Sequence, residues 1–222
     1  MRRAFWLMAC ALLASCAKGE GIDDEGPSTG GDAGRDGAVI LPPAIDGSVS
    51  PTPDGGGGGK DAAACNGKVV INELMTEGNT AAQEFVELYN PSGCAVTLTG
   101  YKLAYKSSGN SNGPDLYNFP AGSSIAAQSF LVLGSATFSG RKDGQLNDGM
   151  AKGGGQVGLL DDNGSLVDAV GWGNANGTYT EGSAAPAPAA NGSIARKTDG
   201  ADTNSNSADF KLLTTHTAGA PN

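Results

Sequence analysis

Short apolar runs alternate with turn-forming residues from Cys65 to Asn222. Nine such runs stand out, at 69–74, 84–89, 101–105, 116–119, 130–134, 156–160, 166–170, 193–197 and 210–213. The breaks between them are rich in Asn, Gly, Pro and Asp, which is the pattern of β-strands separated by turns. Because no helical period of any length interrupts these runs, the pattern predicts an all-β domain built as a β-sandwich.

Two local features sharpen this prediction. The sequence Asp-Asp-Asn-Gly at 161–164 lies between two apolar runs. Asn-Gly readily adopts the positive φ of a tight turn, so this segment predicts a hairpin. Side chains alternate between the two faces of a strand, so Val86 and Leu88 should share one face. The same alternation should place Leu131 and Leu133 together on one face of their own strand.

The start of the chain has a different character. Arg2 and Arg3 supply positive charge, residues 4–13 are almost continuously apolar, and Leu-Ala-Ser leads directly into Cys16. This is the layout of a secretory signal peptide of the lipoprotein type. The apolar run is shorter than the roughly 20 residues that a membrane span needs. We therefore expect residues 1–15 to be a signal peptide and Cys16 to be lipidated. Cys10 is a poorer candidate because it leaves too short an apolar segment.

Residues 16–64 have the composition of a disordered, acidic tether. Gly, Asp, Ser, Thr and Pro dominate, so the segment has too little apolar surface to offset its ordering entropy. A random coil of this length would span roughly 35–40 Å. We expect the protein to be held in the cell envelope by its lipid, with a folded domain at 65–222. Ala17 stands where an aspartate signals inner-membrane retention in some lipoproteins, which favours the outer membrane.

Charge and cysteine content narrow the possible partners and the redox state. The formal net charge is −9, and an acidic surface repels phosphate backbones, so nucleic acid is not an expected partner. Of the four cysteines, Cys10 leaves with the signal peptide and Cys16 takes the lipid. Cys65 and Cys94 remain, and an even remainder in an oxidising compartment predicts one disulfide. Two free thiols are the alternative.

Three glutamates and one tryptophan could belong to a functional site. Glu73, Glu84 and Glu87 fall in two runs that we expect to form neighbouring strands, and paired carboxylates can perform acid–base catalysis. The favoured interpretation is structural, with these carboxylates bonded to backbone groups or hydroxyls, or facing water. Trp172 could be an exposed ligand-stacking ring, but a tryptophan packed in the core or under a loop is favoured.

The sequence lacks the residue combinations that other kinds of catalytic centre require. His216 is the only histidine, so any Ser–His or Cys–His centre must use it, yet it lies in a polar stretch without a G-x-S-x-G motif. A zinc site would lack nitrogen and thiolate ligands. Gly153, Gly155 and Gly158 match G-x-G-x-x-G, but a β-type run follows where a dinucleotide site needs a helix. We therefore expect no enzymatic activity and no cofactor.

One oxygen-rich segment lies between the last two apolar runs. Its carboxylates and amides belong to Asp199, Asp202, Asn204, Asn206 and Asp209. Calcium prefers such hard ligands, and Asp199, Asp202, Asn204 and Asp209 are the candidate ligand set. Their spacing matches no calcium loop, and Asp and Asn also form turns by bonding their own backbone. The solvated turn is the favoured interpretation.

An ordered series of motifs resembles the lamin-tail domain family. The motifs, in chain order, are Val-Ile-Asn-Glu-Leu-Met at 70–75, Glu-Phe-Val-Glu-Leu-Tyr-Asn-Pro at 84–91, Leu-Thr-Gly-Tyr-Lys-Leu at 98–103, Gly-Leu-Leu-Asp at 158–161, Gly-Ser-Leu-Val-Asp at 164–168, Ser-Ile-Ala-Arg at 193–196 and Gly-Ala-Pro-Asn at 219–222. The resemblance covers about residues 67–222. It implies an immunoglobulin-like β-sandwich, the fold of a domain found in nuclear lamins and in many secreted bacterial proteins.

The resemblance also implies a function class. It points to a non-enzymatic adhesion or scaffold role, and together with the signal peptide it suggests a lipid-anchored envelope protein that binds a protein or glycan partner. In bacteria the domain often accompanies nucleases or other hydrolases. The alternative is therefore an accessory subunit or display platform for a secreted hydrolase or an envelope complex.

Overall fold

The computed structural model of the chain describes Cys65 and residues 67–80 and 82–222. All of these residues belong to the second of two compact units, Gly55–Asn222. The predicted signal peptide at 1–15, the predicted lipidation site Cys16 and the predicted tether at 16–64 lie outside the described residues. In the described part, no helix is both long and apolar enough to span a bilayer.

Twelve strands and one short helix follow one another along the described residues. In chain order they are β1 (Val70–Met75), β2 (Phe85–Asn90), β3 (Val96–Thr97), β4 (Lys102–Ser107), β5 (Asn112–Asn118), β6 (Ser124–Ile125), β7 (Ser129–Gly134), β8 (Gly144–Gln145), β9 (Gly154–Leu160), β10 (Leu166–Gly173), β11 (Ser193–Arg196), α1 (Asn206–Asp209) and β12 (Phe210–Leu213). All nine predicted runs are strands, with ends that differ by a few residues. The all-β prediction is confirmed.

The strands form two main sheets. A six-stranded sheet has the order β12-β11-β1-β2-β7-β8, and a four-stranded sheet has the order β10-β9-β4-β5. All pairs in these sheets are antiparallel except β7 with β8. A separate two-stranded sheet pairs β3 with β6 in antiparallel orientation. The chain crosses between the two large sheets several times, as a β-sandwich requires.

The core lies between the two sheets. The six-stranded sheet contributes buried apolar side chains from β1, β2, β7, β11 and β12, and the four-stranded sheet contributes others from β4, β5, β9 and β10. Val86, Leu88 and Leu133 lie in this core, and Leu131 packs against it, so the alternation predicted for both strands is confirmed. Burying this apolar surface is the main driving force for folding.

A smaller apolar cluster lies on the other face of the six-stranded sheet. It consists of Met75, Phe85, Val132 and Phe138, with Ala218 packed against it. This face of the sheet, which we call the outer face, is therefore covered by protein over part of its area. The covering residues come from the loop after β7 and from the end of the described chain.

The predicted hairpin joins β9 to β10. The Asp161 carbonyl accepts from Gly164 N–H at 3.0 Å, and the Asp161 carboxylate accepts from the amides of Asn163 and Ser165 at 3.0 and 2.7 Å. Gly164 has a φ of +78°, while Asn163 keeps a negative φ. The hairpin prediction is confirmed, but the left-handed conformation falls on glycine alone, since the Asp161 side chain supplies the rest of the turn.

A β-bulge in β1 decides which polar residues face outward. Pairing with β2 passes from Ile71–Leu88 to Glu73–Glu87, so Asn72 is an extra residue in β1. Ile71 and Leu74 both lie in the main core although they are an odd number of positions apart. The bulge therefore turns Asn72 and Glu73 together toward the outer face.

Cys65 and Cys94 form a disulfide, with their Cα atoms 6.0 Å apart. The bond joins the segment that precedes β1 to the loop between β2 and β3. Since β1 and β2 are neighbours in the sheet, the bond closes a loop across their shared end. A covalent closure of this kind stabilises a fold mainly by restricting the unfolded chain.

We predict that removing the disulfide weakens the domain without changing its fold. The bonded cysteines are 29 positions apart, and closing such a loop contributes about 3–4 kcal/mol in the chain-entropy treatment. Urea denaturation of the Cys65→Ser, Cys94→Ser double variant should show this loss in the free energy of unfolding. The matched control is wild-type protein with the disulfide reduced. Equal stability of oxidised wild type and the double variant would contradict the prediction.

Candidate functional site

A fully buried arginine lies where the two sheets meet. Arg196 ends β11 in the six-stranded sheet, and Asp168 lies in β10 of the four-stranded sheet. Arg196 Nη2 donates to both carboxylate oxygens of Asp168, at 3.1 and 2.9 Å, and neither side chain is exposed. A buried charge is tolerated only when it is paired and hydrogen-bonded, and this pair meets both conditions across the sandwich.

The two side chains of the ion pair also hydrogen-bond the backbone carbonyl and amide of one residue in β1. Arg196 Nε donates to the Ile71 carbonyl at 2.8 Å, and the Ile71 amide donates to Asp168 Oδ2 at 2.6 Å. The β1–β11 ladder pairs Glu73 and Leu74 but does not extend to Ile71. Side chains thus satisfy the backbone groups that strand pairing leaves free beside the bulge.

Further groups surround the guanidinium. Arg196 Nη1 donates to the Ala201 carbonyl at 2.6 Å and lies 3.4 Å from Asp202 and 3.5 Å from Asp209. The Phe210 ring lies with its centroid 4.9 Å from the guanidinium carbon, which is a cation–π distance. Arg196 therefore organises the loop after β11 as well as the junction between the sheets.

Three carboxylates in this region are close enough to share a cation. Asp168, Glu181 and Asp202 offer oxygen atoms within 4.8 Å of one another. Lys68 forms an ion pair with Asp202, and Arg196 contacts both Asp168 and Asp202. Two side-chain cations thus face Asp168 and Asp202, while Glu181 forms no ion pair among the described residues. The arrangement is an ion-pair network with a protein cation at its centre.

The pKa values in the network follow from burial and from these partners. Burial raises the pKa of Asp168, against the opposing effect of Arg196. Burial and the nearby Asp168 raise the pKa of Glu181 to about 7. Burial acts to raise the pKa of Asp202 too, but its bonds with Lys68 and the Asn204 amide outweigh it and lower that pKa. Glu181 is therefore the member of the network that takes up a proton near neutral pH.

The residues predicted as calcium ligands have separate partners. Asp199 accepts from Asn72 at 2.9 Å, whereas Asp209 accepts from the Thr203 hydroxyl at 2.6 Å. Asp202 accepts from the Asn204 amide at 3.1 Å and pairs with Lys68 and Arg196. In the structure, Asp202 and Asp209 both lie beside Arg196, whereas Asp199 contacts Asn72 instead. This favours the turn interpretation of the segment, and calcium binding stays a prediction.

Asn206, the remaining amide of that segment, is fully buried and binds backbone groups. Its Oδ1 accepts from the amides of Gly171 and Glu181, both at 2.9 Å, and its Nδ2 donates to the Ala169 carbonyl at 2.9 Å. Asn206 begins α1, so these bonds fix the short helix against β10. Its role in the structure is to link elements.

Glu73 and Glu87 face each other on the outer face of β1 and β2. Neither is exposed. Glu73 accepts from the Ser193 hydroxyl at 2.5 Å and from the Thr217 amide at 3.0 Å. Glu87 accepts from Asn72 at 3.0 Å and from the Gly219 amide at 2.6 Å. The two carboxylates thus bond backbone and polar side chains, as the structural interpretation predicts.

Glu84 lies apart from the other two glutamates, beside a surface cavity of about 300 Å³. Both of its carboxylate oxygens accept from the Met150 amide, at 3.1 and 2.9 Å. Burial raises the pKa of Glu84 to about 7, and the neighbouring Asp148 adds to this. Glu84 therefore does not form a catalytic pair with Glu73 or Glu87, although a group that titrates near neutral pH lines the cavity.

His216 and Trp172 are packing residues. The His216 ring lies 5.3 Å from the Phe85 ring and 5.4 Å from the Phe138 ring, measured between centroids. Trp172 is unexposed in the main core, and its indole N–H donates to the Ala151 carbonyl at 3.0 Å. A Cβ on Gly155 would lie 2.7 Å from the Trp172 ring, so this glycine of the G-x-G-x-x-G match is needed for packing.

Comparison with known families agrees with this architecture. The sequence model of the Lamin Tail Domain family matches residues 62–174. The chain belongs to the Lamin Tail Domain family. No curated protein matches the chain significantly. The family fold is immunoglobulin-like and non-catalytic. The match therefore confirms both the resemblance and the fold class that were predicted from the sequence.

The family match is shorter than the predicted resemblance. It ends at residue 174, within the loop after β10, so β11, β12 and the last residues lie beyond it. These later elements nevertheless complete the lamin-tail sandwich, because β11 pairs with β1 in the six-stranded sheet. Arg196 therefore lies outside the matched region, while its partner Asp168 lies inside it.

Sequence reasoning did not single out Arg196 and Asp168 as partners. A usable signal was present, since Asp168 is the single charged residue of an otherwise apolar strand and Arg196 directly follows Ile194 and Ala195 at the end of another. A charge in a buried strand requires an opposite charge, so one acid and one base in two such strands predict a buried pair. The lamin-tail motifs contained both residues without revealing that they meet.

We predict that breaking the Arg196–Asp168 pair is strongly destabilising. Asp168→Asn removes the fully buried carboxylate that accepts from Arg196 Nη2, and removing one partner of a buried pair costs about 3–5 kcal/mol. The control is Lys102→Met, which removes an ion pair with Asp115 that is more than a third exposed on both sides. Such exposed pairs contribute about 0–1 kcal/mol. Urea denaturation should separate the two variants, and equal losses would contradict the prediction.

We also predict that Glu84 makes stability depend on pH. The folded-state pKa is about 7 and the ordinary value is 4.5. A carboxyl with a raised folded pKa stabilises the fold fully below its unfolded pKa, and that contribution is lost as pH rises through the folded value. Glu84→Gln keeps an oxygen for the Met150 amide but cannot ionise.

Denaturation curves at two pH values test this. Between about pH 5 and about pH 8, wild type should lose about 2 kcal/mol more in free energy of unfolding than Glu84→Gln. The control is Asp162→Asn, which removes an exposed carboxylate from the β9–β10 turn and should follow wild type. A parallel loss in wild type and Glu84→Gln would show that Glu84 does not titrate in this range.

Proposed function

We propose that this chain is a lipid-anchored envelope protein whose lamin-tail domain is a non-catalytic binding, adhesion or scaffold module. The domain is held by Cys16 and the acidic tether at 16–64, outside the cytoplasm and on the outer membrane. Its partner is a protein or a glycan, since the net charge of −9 opposes binding to nucleic acid. No cofactor is part of this proposal.

The proposal that the module is non-catalytic rests on the contacts that its buried ionisable groups make. Glu73 and Glu87 bind the end of the described chain, and Asp168 binds Arg196. His216 packs between two phenylalanines. In the described residues both cysteines are joined in the disulfide. These groups, which acid–base or nucleophilic catalysis could use, therefore take part in contacts that hold the fold together.

The anchoring part depends on the sequence at 13–16. An apolar segment followed by Leu-Ala-Ser-Cys presents a cysteine at the first position after cleavage. Stable attachment by acyl chains requires more than one chain, which a diacylglyceryl cysteine provides. A tether that spans roughly 35–40 Å as a coil would then let the domain reach partners beyond the lipid headgroups.

We predict that Cys16→Ala abolishes lipid attachment. Metabolic labelling with palmitate should mark wild type, and detergent partitioning should place it in the membrane fraction. The Cys16→Ala variant should lose both properties because it lacks the acceptor sulfur. Cys10→Ala is the matched control and should behave as wild type. Continued labelling of Cys16→Ala, or loss of labelling in Cys10→Ala, would contradict the anchoring proposal.

Cross-linking in intact cells distinguishes a binding module from a display platform. If the lamin-tail domain binds a structural partner, cross-links should join residues 65–222 to envelope proteins or cell-wall glycan, and the captured complex should lack hydrolytic activity. Co-purification of a hydrolase in stoichiometric amount would favour the accessory role instead. Activity in the purified chain alone would overturn the non-catalytic proposal.

A further inference from the structure

The last nine residues form a strap across the outer face of the six-stranded sheet. We define the strap as Thr214–Asn222, which follows β12 and pairs with none of the strands. It is held by side-chain hydrogen bonds from residues far away in sequence. A segment without ladder bonds depends on those few contacts to stay docked.

Two buried carboxylates make the central contacts with the strap. Glu73 accepts from the Thr217 amide at 3.0 Å and from the Thr217 hydroxyl at 2.9 Å. Glu87 accepts from the Gly219 amide at 2.6 Å. The β1 bulge makes this possible, because it turns Glu73 to the same face as Glu87 and places the two directly opposite each other. Strap docking therefore depends on hydrogen bonds to the carboxyl groups of Glu73 and Glu87.

The strap covers apolar surface as well as the two carboxylates. His216 lies against Phe85 and Phe138, and Ala218 packs on the smaller apolar cluster. At the far end, the Asn222 side chain donates to the Asn72 and Arg196 carbonyls at 3.4 and 3.3 Å. Lifting the strap would expose both the apolar cluster and the glutamates to water.

The surroundings of Glu87 contain more acids than bases. Glu73 faces it from β1, and Asp199 faces it from the loop after β11. On the strap side, Arg141 lies beside Gly219 but is paired with Asp143, and the remaining titratable strap residue is His216. In the part of the chain that the structure describes, no ion pair includes Glu73 or Glu87. An ionised Glu87 would therefore lie buried beside the carboxyl groups of Glu73 and Asp199 without a counter-charge.

We propose that the strap is a pH-sensitive latch, docked while the Glu87 carboxyl is protonated and loosened when it is ionised beside Glu73. Loosening lets water reach the ionised Glu87 and uncovers the apolar cluster around Phe85. The latch itself does not depend on the proposed function.

The direction of the effect follows from linkage. Burial raises the pKa of Glu87 to about 7 from an ordinary value of 4.5, and the bonds from Gly219 and Asn72 oppose this only in part. The Glu87 carboxyl therefore binds its proton more tightly under the docked strap than it does when the strap is lifted and water reaches it. Docking is favoured at acidic pH, and this advantage is lost as pH rises through about 7.

Amide hydrogen exchange of the full chain tests the latch. After correction for the intrinsic exchange rates, the opening equilibrium of the Thr217–Gly219 amides should rise about tenfold between about pH 6 and about pH 8. Glu87→Gln, which cannot ionise, should lose most of this pH dependence. Glu84→Gln is the control because it removes a buried, titrating carboxyl that does not contact the strap, and it should keep the wild-type response.

Two outcomes would overturn the proposal. One is strap protection that is unchanged between the two pH values in wild type, and the other is an unchanged pH response in Glu87→Gln. If Glu87→Gln does not fold, carboxyl carbon NMR of wild type replaces it. The Glu87 carboxyl and the Gly219 amide should then titrate together near neutral pH, and separate midpoints would contradict the latch.

Discussion

The buried pair of Arg196 and Asp168 is the constraint on which the arrangement of the two sheets depends. A guanidinium without exposure cannot exist unpaired, so β10 must bring its carboxylate to the end of β11. The same pair bonds both backbone groups of Ile71, at a position where β1 has no ladder partner on that side. One interaction thus fixes three strands from two sheets, while the apolar core around it has no comparable directional requirement.

The bulge at Asn72 extends this organisation to the opposite face of the sheet. An extra residue in β1 keeps Ile71 and Leu74 in the core and turns Asn72 and Glu73 outward. Outward-facing polar groups would normally meet water, but here they bind the end of the described chain. The six-stranded sheet is therefore buried on both faces over part of its area, and its second layer is a polar segment held by carboxylates.

The chemistry of the domain is consistent with a module that presents surfaces. Buried acids in this sandwich are bonded to backbone amides, hydroxyls or one arginine, and the network of Asp168, Glu181 and Asp202 surrounds protein cations. Three glutamates with pKa values of about 7 instead make the stability of the domain sensitive to pH. The family match stops before β11, yet Arg196 and the strap complete the sandwich, so the later elements belong to the same folding unit.

The sequence by itself determined nine of the twelve described strands, the β9–β10 hairpin and the pairing of Cys65 with Cys94. These features depend on short-range periodicity, on Asp-Asp-Asn-Gly chemistry and on the count of cysteines, all of which are readable along the chain. Strands of two residues such as β3 and β8 are too short to show a period. Only the tertiary structure decided the bulge, the meeting of Asp168 with Arg196 and the docking of the strap. Those depend on register between distant segments, as in the bond between Asn72 and Asn222, which are 150 positions apart.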